Sequence, residues 1–187
     1  MFIQTEATPN PATLKFLPGQ TVLETGTADF KSATAAEASP LAGRIFNVPG
    51  VEAVFLGYDF VTVTKGDASE WDDIKPAILG AVMEHFQSGD PMLSGDDAGA
   101  SGHADFEGED AAVVGQIKEL LDTRVRPAVA QDGGDITFHG FESGVVYLHM
   151  QGACAGCPSS TLTLKMGIEN LLRHYIPEVS EVRPVAV

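Results

Sequence analysis

The sequence predicts an α+β protein, built as two small α+β domains joined by an acidic flexible linker. Three observations lead there. Residues 88–110 shift abruptly to Gly, Ser, Ala and seven acidic residues, with no Lys or Arg among them. The stretches on either side mix short β-type runs with helical apolar spacing. Both cysteines of the 187-residue chain fall in one loop, between a strand pattern and a helix pattern. The domains then run 1–87 and 111–187, with the linker over 88–110.

In chain order, Phe2 to Glu6 and Thr13 to Leu17 read as short strands separated by the turn-forming Pro9-Asn10-Pro11. Val22 to Thr25 is expected as another strand. Ser39-Pro40 offers an N-cap and a first-turn proline for a short helix carrying Leu41, Ile45 and Phe46. Glu52 to Leu56 and Phe60 to Thr64, with Gly57-Tyr58-Asp59 between them, form a hairpin pattern. A capping-box start at Ser69 to Asp72 then opens a helix with a core face of Ile74, Ile78, Val82 and Phe86, in which Pro76 is awkward. No nucleotide-binding, zinc-protease or serine-hydrolase motif occurs in this half.

Past the linker, whose His103 reads as part of a solvated acidic tether, Val114, Ile117, Leu121 and Val125 share one helical face. Arg124 and Arg126 suit the helix C-terminus, and Pro127 should kink or end the helix. Asp132-Gly133-Gly134-Asp135 is a better turn than hard-cation site, because the two glycines explain it as a helix stop. Strands follow at Ile136 to Phe141 and Val145 to Met150. After the cysteines, Leu164, Ile168, Leu171, Leu172 and Tyr175 recur at helical spacing, and Pro158 suits the first turn of that helix.

Composition excludes several partner classes. A formal net charge of −15 and a pI near 4.5 repel nucleic-acid backbones and anionic lipid surfaces. No apolar run approaches membrane length, so neither nucleic acid nor membrane is expected as a partner. The N-terminus has no basic n-region followed by an apolar stretch, which leads us to expect a cytoplasmic (bacterial) protein, or alternatively the processed form of a mitochondrial one.

The chemistry concentrates in Gln151-Gly152-Ala153-Cys154-Ala155-Gly156-Cys157-Pro158. A helix N-terminus offers free N–H groups and partial positive charge that favour thiolate, so Cys157 should ionise readily. The small residues around the thiols let a bulky anionic group approach. A tetrahedral zinc site or a cubane cluster takes four ligands, whereas one Cys-x-x-Cys supplies two. The set would be completed by a second copy of the chain, by small thiols, or by histidines such as His139 and His149, whose spacing resembles no paired ligand motif. A thiol-disulfide oxidoreductase using the same pair lacks an obvious thioredoxin-like context. A zinc-bridged interaction module and a structural disulfide are the remaining readings.

The run from Arg126-Pro127 through Asp132-Gly133-Gly134-Asp135 to Gly152-Ala153-Cys154-Ala155-Gly156-Cys157-Pro158-Ser159-Ser160, continued by Thr163-Leu164-Lys165 and Gly167-Ile168-Glu169, closely resembles the C-terminal domain of the NifU family. Phe2-Ile3-Gln4-Thr5, Thr8-Pro9-Asn10-Pro11, Leu14-Lys15-Phe16 and Ser39-Pro40-Leu41-Ala42 resemble the N-terminal domain of Nfu-type proteins. The resemblance spans nearly the whole chain outside the linker. It implies a non-enzymatic scaffold or carrier in iron-sulfur cluster assembly, in which Cys154 and Cys157 hold a 4Fe-4S cluster. On this pattern the cluster is shared between two copies, comes from an upstream donor and passes to apo-protein recipients. A site split between chains suits transfer, since an acceptor's thiolates can displace one pair while the other still holds the metal.

Overall fold

The structure, a computed structural model, describes residues 1–95, 103–156 and 158–185, and the side chains of 158–160 are not among those described. It divides into two units, 1–101 and 102–187, each with its own sheet and core.

The first unit opens with β1 (Gln4–Ala7), β2 (Thr13–Leu17) and β3 (Ala28–Phe30), followed by a 3-10 turn at Ala35–Ala38 and α1 (Pro40–Phe46). It continues with β4 (Val51–Leu56), β5 (Val61–Lys65) and α2 (Trp71–Ser88). The five strands form an antiparallel sheet in the order β1-β2-β5-β4-β3. Alternation along β2, β4 and β5 sends Phe16, Val54, Leu56, Val61 and Val63 into a core completed by Leu41, Ile45, Ile74, Ile78 and Val82 of the helices. The cap of α1 is as expected: Ser39 Oγ accepts from Ala42 N at 3.1 Å, with Pro40 in the first turn.

Two expectations in this unit are corrected. Val22 to Thr25 is not a strand. Val22 and Leu23 are buried, but their N–H groups both turn to the carbonyl of Tyr58, at 2.7 and 3.2 Å, so the segment plugs the sheet as a loop and the strand comes later, at β3. The capping box does not form either. Glu70 occupies the N-cap of α2 without a side-chain bond, and the helix runs through Pro76, which forfeits only its own bond back to Asp72.

The second unit consists of α3 (Ala111–Leu120), a π turn at Leu121–Val125, α4 (Arg126–Gln131), β6 (Gly134–Glu142), β7 (Val145–Gly152), α5 (Pro158–Tyr175) and β8 (Glu181–Val185). Pro127 explains the π turn. It has no N–H for the carbonyl of Thr123, and the helix passes the gap by widening before α4 begins. β6 and β7 form an antiparallel hairpin, and β8 lies parallel to β7 on its other edge. This third strand has no counterpart in the expected α-β-β-loop-α order. Its Pro184 fits because β8 is an edge strand with one side unpaired in the sheet. Ile117, Leu121, Ile136, Phe138, Leu148, Ile168 and Leu172 make the core. Both units are therefore α+β, as expected.

The 88–110 stretch is anchored at both ends, which its composition concealed. Asp90 pairs with Arg44 at 2.7 Å, Met92 O accepts from Ser39 Oγ at 2.6 Å, and Ser94 N donates to Ala38 O at 2.7 Å. At the other end, the view of His103 as a side chain on a solvated tether is overturned. Its Nδ1 accepts from Phe138 N at 2.8 Å, its Nε2 meets Asp122 at 2.9 Å, and Ala104 N donates to Phe138 O at 2.8 Å. His103 and Ala104 thus satisfy backbone groups on the free edge of β6, and Phe106 seals it edge-on against Phe138. Residues 96–102, the rest of the expected linker, lie outside the described residues.

Candidate functional site

The site is built where β6 starts, β7 ends and α5 begins. Gly134 pairs with Gly152 across the hairpin, which brings the Asp132 to Asp135 turn directly beneath the cysteine loop. Ala153 N donates to Gly133 O at 3.2 Å, Cys154 N to Gln151 O at 3.3 Å, and Ala155 N to Gly152 O at 3.1 Å. Thr161 in α5 reaches back, its Oγ1 donating to Cys154 O at 3.2 Å. The loop is therefore stitched to the turn before it and the helix after it. Gly156, with φ +77°, makes the last bend before the second cysteine.

Cys154 faces inward, 6% exposed, and joins the core of the second unit. A Cβ on Gly134 would stand 2.4 Å from its Sγ and 2.9 Å from Gln151 O, so the bare backbone of Gly134 forms the wall of the thiol's pocket. Burial, aided by the negative charges of Asp132 and Asp135, pushes the Cys154 thiol up to about 12. In the metal-free chain it is a protonated thiol, and a metal must displace that proton to bind it. Cys157 lies outside the described residues, and so does the expectation that it ionises readily.

Beneath the loop sits an ion pair that the sequence reading missed. Arg126 donates through Nε and Nη2 to the two oxygens of Asp135, both at 2.8 Å, and through Nη1 to Asp122 at 3.0 Å. Asp135 Oδ1 also accepts from Ile136 N at 2.8 Å. The Asp135 hydrogen bond, more than any other contact, raises the affinity of the Arg126 guanidinium for its proton. Arg126 is therefore not simply a partner for a helix end, and Asp135, with both oxygens engaged, is not open to a hard cation. The fork-to-carboxylate geometry ties α4 to the first residues of β6 and fixes the turn below Cys154. The only sequence signals were an arginine and an aspartate nine residues apart on either side of a helix stop, which no periodicity rule connects.

The histidines proposed as extra ligands are elsewhere. His139 is exposed at a bulge in β6, five residues or about 16 Å along the strand from Gly134. His149 pairs with Thr137, about 10 Å along β7 from Gly152. Among the described residues no group of three or more His, Cys, Asp or Glu is placed to hold a metal. Cys154 is thus the one soft donor the described site offers, and a thiolate is a ligand that suits zinc or an iron-sulfur group rather than a hard cation.

The two units define a two-module α+β protein whose second module carries the thiol site. The family model for the N-terminal domain of Nfu/NifU scaffold proteins matches residues 3–89, and the model for the NifU-like domain matches residues 117–183. The human mitochondrial protein named NFU1 iron-sulfur cluster scaffold homolog is 53% identical over 186 residues, covering 99% of this chain and 72% of that protein. The mitochondrial NifU-like protein 4 of Arabidopsis thaliana is 54% identical over 184 residues, 97% of this chain. The chain spans 65% of that relative's length. A solution NMR structure of a NifU-like protein from Saccharomyces cerevisiae, 32% identical, covers 51% of this chain and 87% of its own, with a TM-score of 0.46. The chain belongs to the Nfu-type, NifU-like scaffold proteins.

Proposed function

We propose that this chain is a non-enzymatic carrier in iron-sulfur cluster assembly. It receives a 4Fe-4S cluster as cargo from an upstream donor, holds it through Cys154 and Cys157 together with the same pair from a second copy, and delivers it to apo-proteins. The observation that carries the reading is the position of Cys154 in a loop fixed on both sides, immediately before α5, in a chain of the scaffold family. The helix N-terminus at Pro158 supplies partial positive charge toward an anionic cluster. The iron-sulfur role in the name of the human relative supports the same reading.

The thiol-disulfide alternative is not favoured by Cys154. A redox nucleophile needs an accessible thiolate, whereas this thiol is buried and shifted upward. The module carrying the chemistry is the second unit. No helix among the described residues is long and apolar enough to cross a membrane. The relatives are mitochondrial by name, which supports a mitochondrial setting over the bacterial cytoplasm.

Anaerobic reconstitution with iron and sulfide, followed by an absorption spectrum and iron and sulfide analysis, tests the proposal. The expected result is a coloured protein with about four irons per two chains, as four thiolates around one cubane require. Cys154→Ala and Cys157→Ser should each abolish it. A Cys154→Ala chain that folds and retains full iron and sulfide would sink the assignment. A colourless chain that binds zinc would favour an interaction module instead.

A further inference from the structure

We propose that the uncharged face of α5 around Leu162 and Met166 is the surface on which the second copy of this chain docks. The inference rests on the carrier reading, in which one cysteine pair is half a ligand set and the site is incomplete without another chain. It adds where on the molecule that chain sits.

Leu162 and Met166 are 59% and 57% exposed, although both are large and apolar. They lie four residues apart and so share one helix face. Met166 is about 12 Å along the axis from Pro158, at the rise of an α-helix. The patch therefore begins within a turn or two of the cysteine loop. Gly167 and Asn170 extend it as exposed residues, and a Cβ on Gly167 would meet nothing within 4 Å, so the surface there is low and open.

Charge decides the occupant. Two charged side chains occur between Leu162 and Asn170, and both are paired at the edge of the patch. Lys165 Nζ is 3.8 Å from Glu181, and Glu169 accepts from Val182 N through Oε2 at 3.2 Å while its Oε1 lies 3.7 Å from Arg173. Arg173 bounds the patch at its far end, and the stretch of face holding Leu162, Met166 and Asn170 carries no charge, in a chain whose net charge is −15. In a two-fold contact, each residue near the axis meets its own copy, so a charge there would repel itself. Two strongly acidic copies approach most readily through a patch without charge, and this apolar patch adjoins the half-site they must share.

The test uses the full chain, reconstituted anaerobically with iron and sulfide, and reads the dissociation constant of the iron-loaded dimer by sedimentation and native mass. Met166→Glu and Met166→Lys, prepared separately, should each raise that constant about tenfold or more, because like charges then face each other. Mixing the two variants before reconstitution should restore a heterodimer close to wild-type affinity. The Lys variant is the sharper probe. It reduces the magnitude of each chain's net charge from 15 to 14, so the change in overall repulsion alone would tighten the dimer, whereas direct contact loosens it. Far-UV circular dichroism and the thermal midpoint of the metal-free variants should match wild type, since the side chain is exposed.

An iron-loaded dimer unchanged by both variants would overturn the docking face while leaving the carrier reading standing. Weakening by both without rescue on mixing would overturn it too, as would intact dimers that merely transfer the cluster more slowly to an apo-acceptor, which would assign the face to recipients. A wild-type chain that takes up no iron would instead defeat the carrier reading, and this inference with it.

Discussion

A methyl group added at Gly134 would collide with the Sγ of Cys154, and neither neighbour can yield easily: one is a buried thiol and the other, Gln151 O, is backbone. Gly134→Ala should therefore cost about 1–3 kcal/mol of stability, as overpacking of a filled core does, and should reduce iron loading by moving the thiol. Thermal unfolding of the metal-free chain and iron analysis after reconstitution measure the two effects. The burial of Cys154 also makes its titration a stability term. Its folded value stands at about 12 against an ordinary 9.0, so between those values the unfolded chain has lost a proton that the folded chain keeps. Stability of the metal-free chain should consequently fall as pH rises from 9 toward 12. The Cys154→Ala variant should lose that part of the slope. At neutral pH the same burial should make Cys154 slow to alkylate, and rapid labelling of Cys154 in the folded metal-free chain would contradict the closed pocket. Because the thiol belongs to the core as well as to the site, serine is a poor probe here. It would bury a hydroxyl where sulfur packed, and confuse stability with ligation.

The Arg126–Asp135 pair makes one mechanical unit of α4, the glycine turn and β6. The Asp135 side chain is 5% exposed, so removing its partner leaves a carboxylate with little water to replace the fork. Arg126→Met should destabilise the second unit by about 3 kcal/mol, and Arg126→Lys should recover only part of this, because an ammonium cannot bond both oxygens in one plane. Denaturant unfolding of the two variants checks the order. The pair was not legible in the sequence, for a physical reason: it joins residues on opposite sides of a helix stop through side-chain geometry, and apolar periodicity is silent about that. What periodicity does encode was read well, including the apolar faces of α2 and α3, that of α5 apart from Tyr175, which is exposed, the β4 and β5 hairpin, and the position of the cysteine loop between β7 and α5. β8 was missed because Glu181-Val182-Arg183-Pro184-Val185 has a proline and two charges, and earns its place only by pairing with a strand far away in sequence. Val22 to Thr25 was misread for the converse reason, since a buried loop can be as apolar as a strand when its N–H groups find a carbonyl outside the sheet. At the site, the loop of small residues between strand and helix was legible. The inward turn of Cys154 was not, because it depends on the space left at Gly134.

Across the whole chain, the acidic stretch behaves as two anchored ends rather than one long tether. Ser94 anchors the stretch to the first unit, and His103 anchors it to the second. Limited proteolysis should therefore spare the two anchored ends, around Asp90 to Ser94 and His103 to Phe106, rather than cut throughout 88–110. The fragment from His103 onward should fold alone and retain cluster binding, because the cysteine loop draws its support from β6, β7, α4 and α5. A fragment starting at Ala111 should be less stable, since it loses His103 and Ala104 from the edge of β6 and Phe106 from the face of Phe138. Comparing thermal midpoints of the two fragments tests the edge seal independently of any metal. Net charge adds a dependence that no single contact can supply. Two chains at −15 each repel at distances where salt still screens them, so the iron-loaded dimer should tighten as ionic strength rises. If the attraction between copies were instead carried by ion pairs across the interface, added salt would weaken it. The sign of the salt dependence, measured by sedimentation of the iron-loaded protein at low and physiological salt, thus separates a neutral contact between acidic copies from a salt-bridged one.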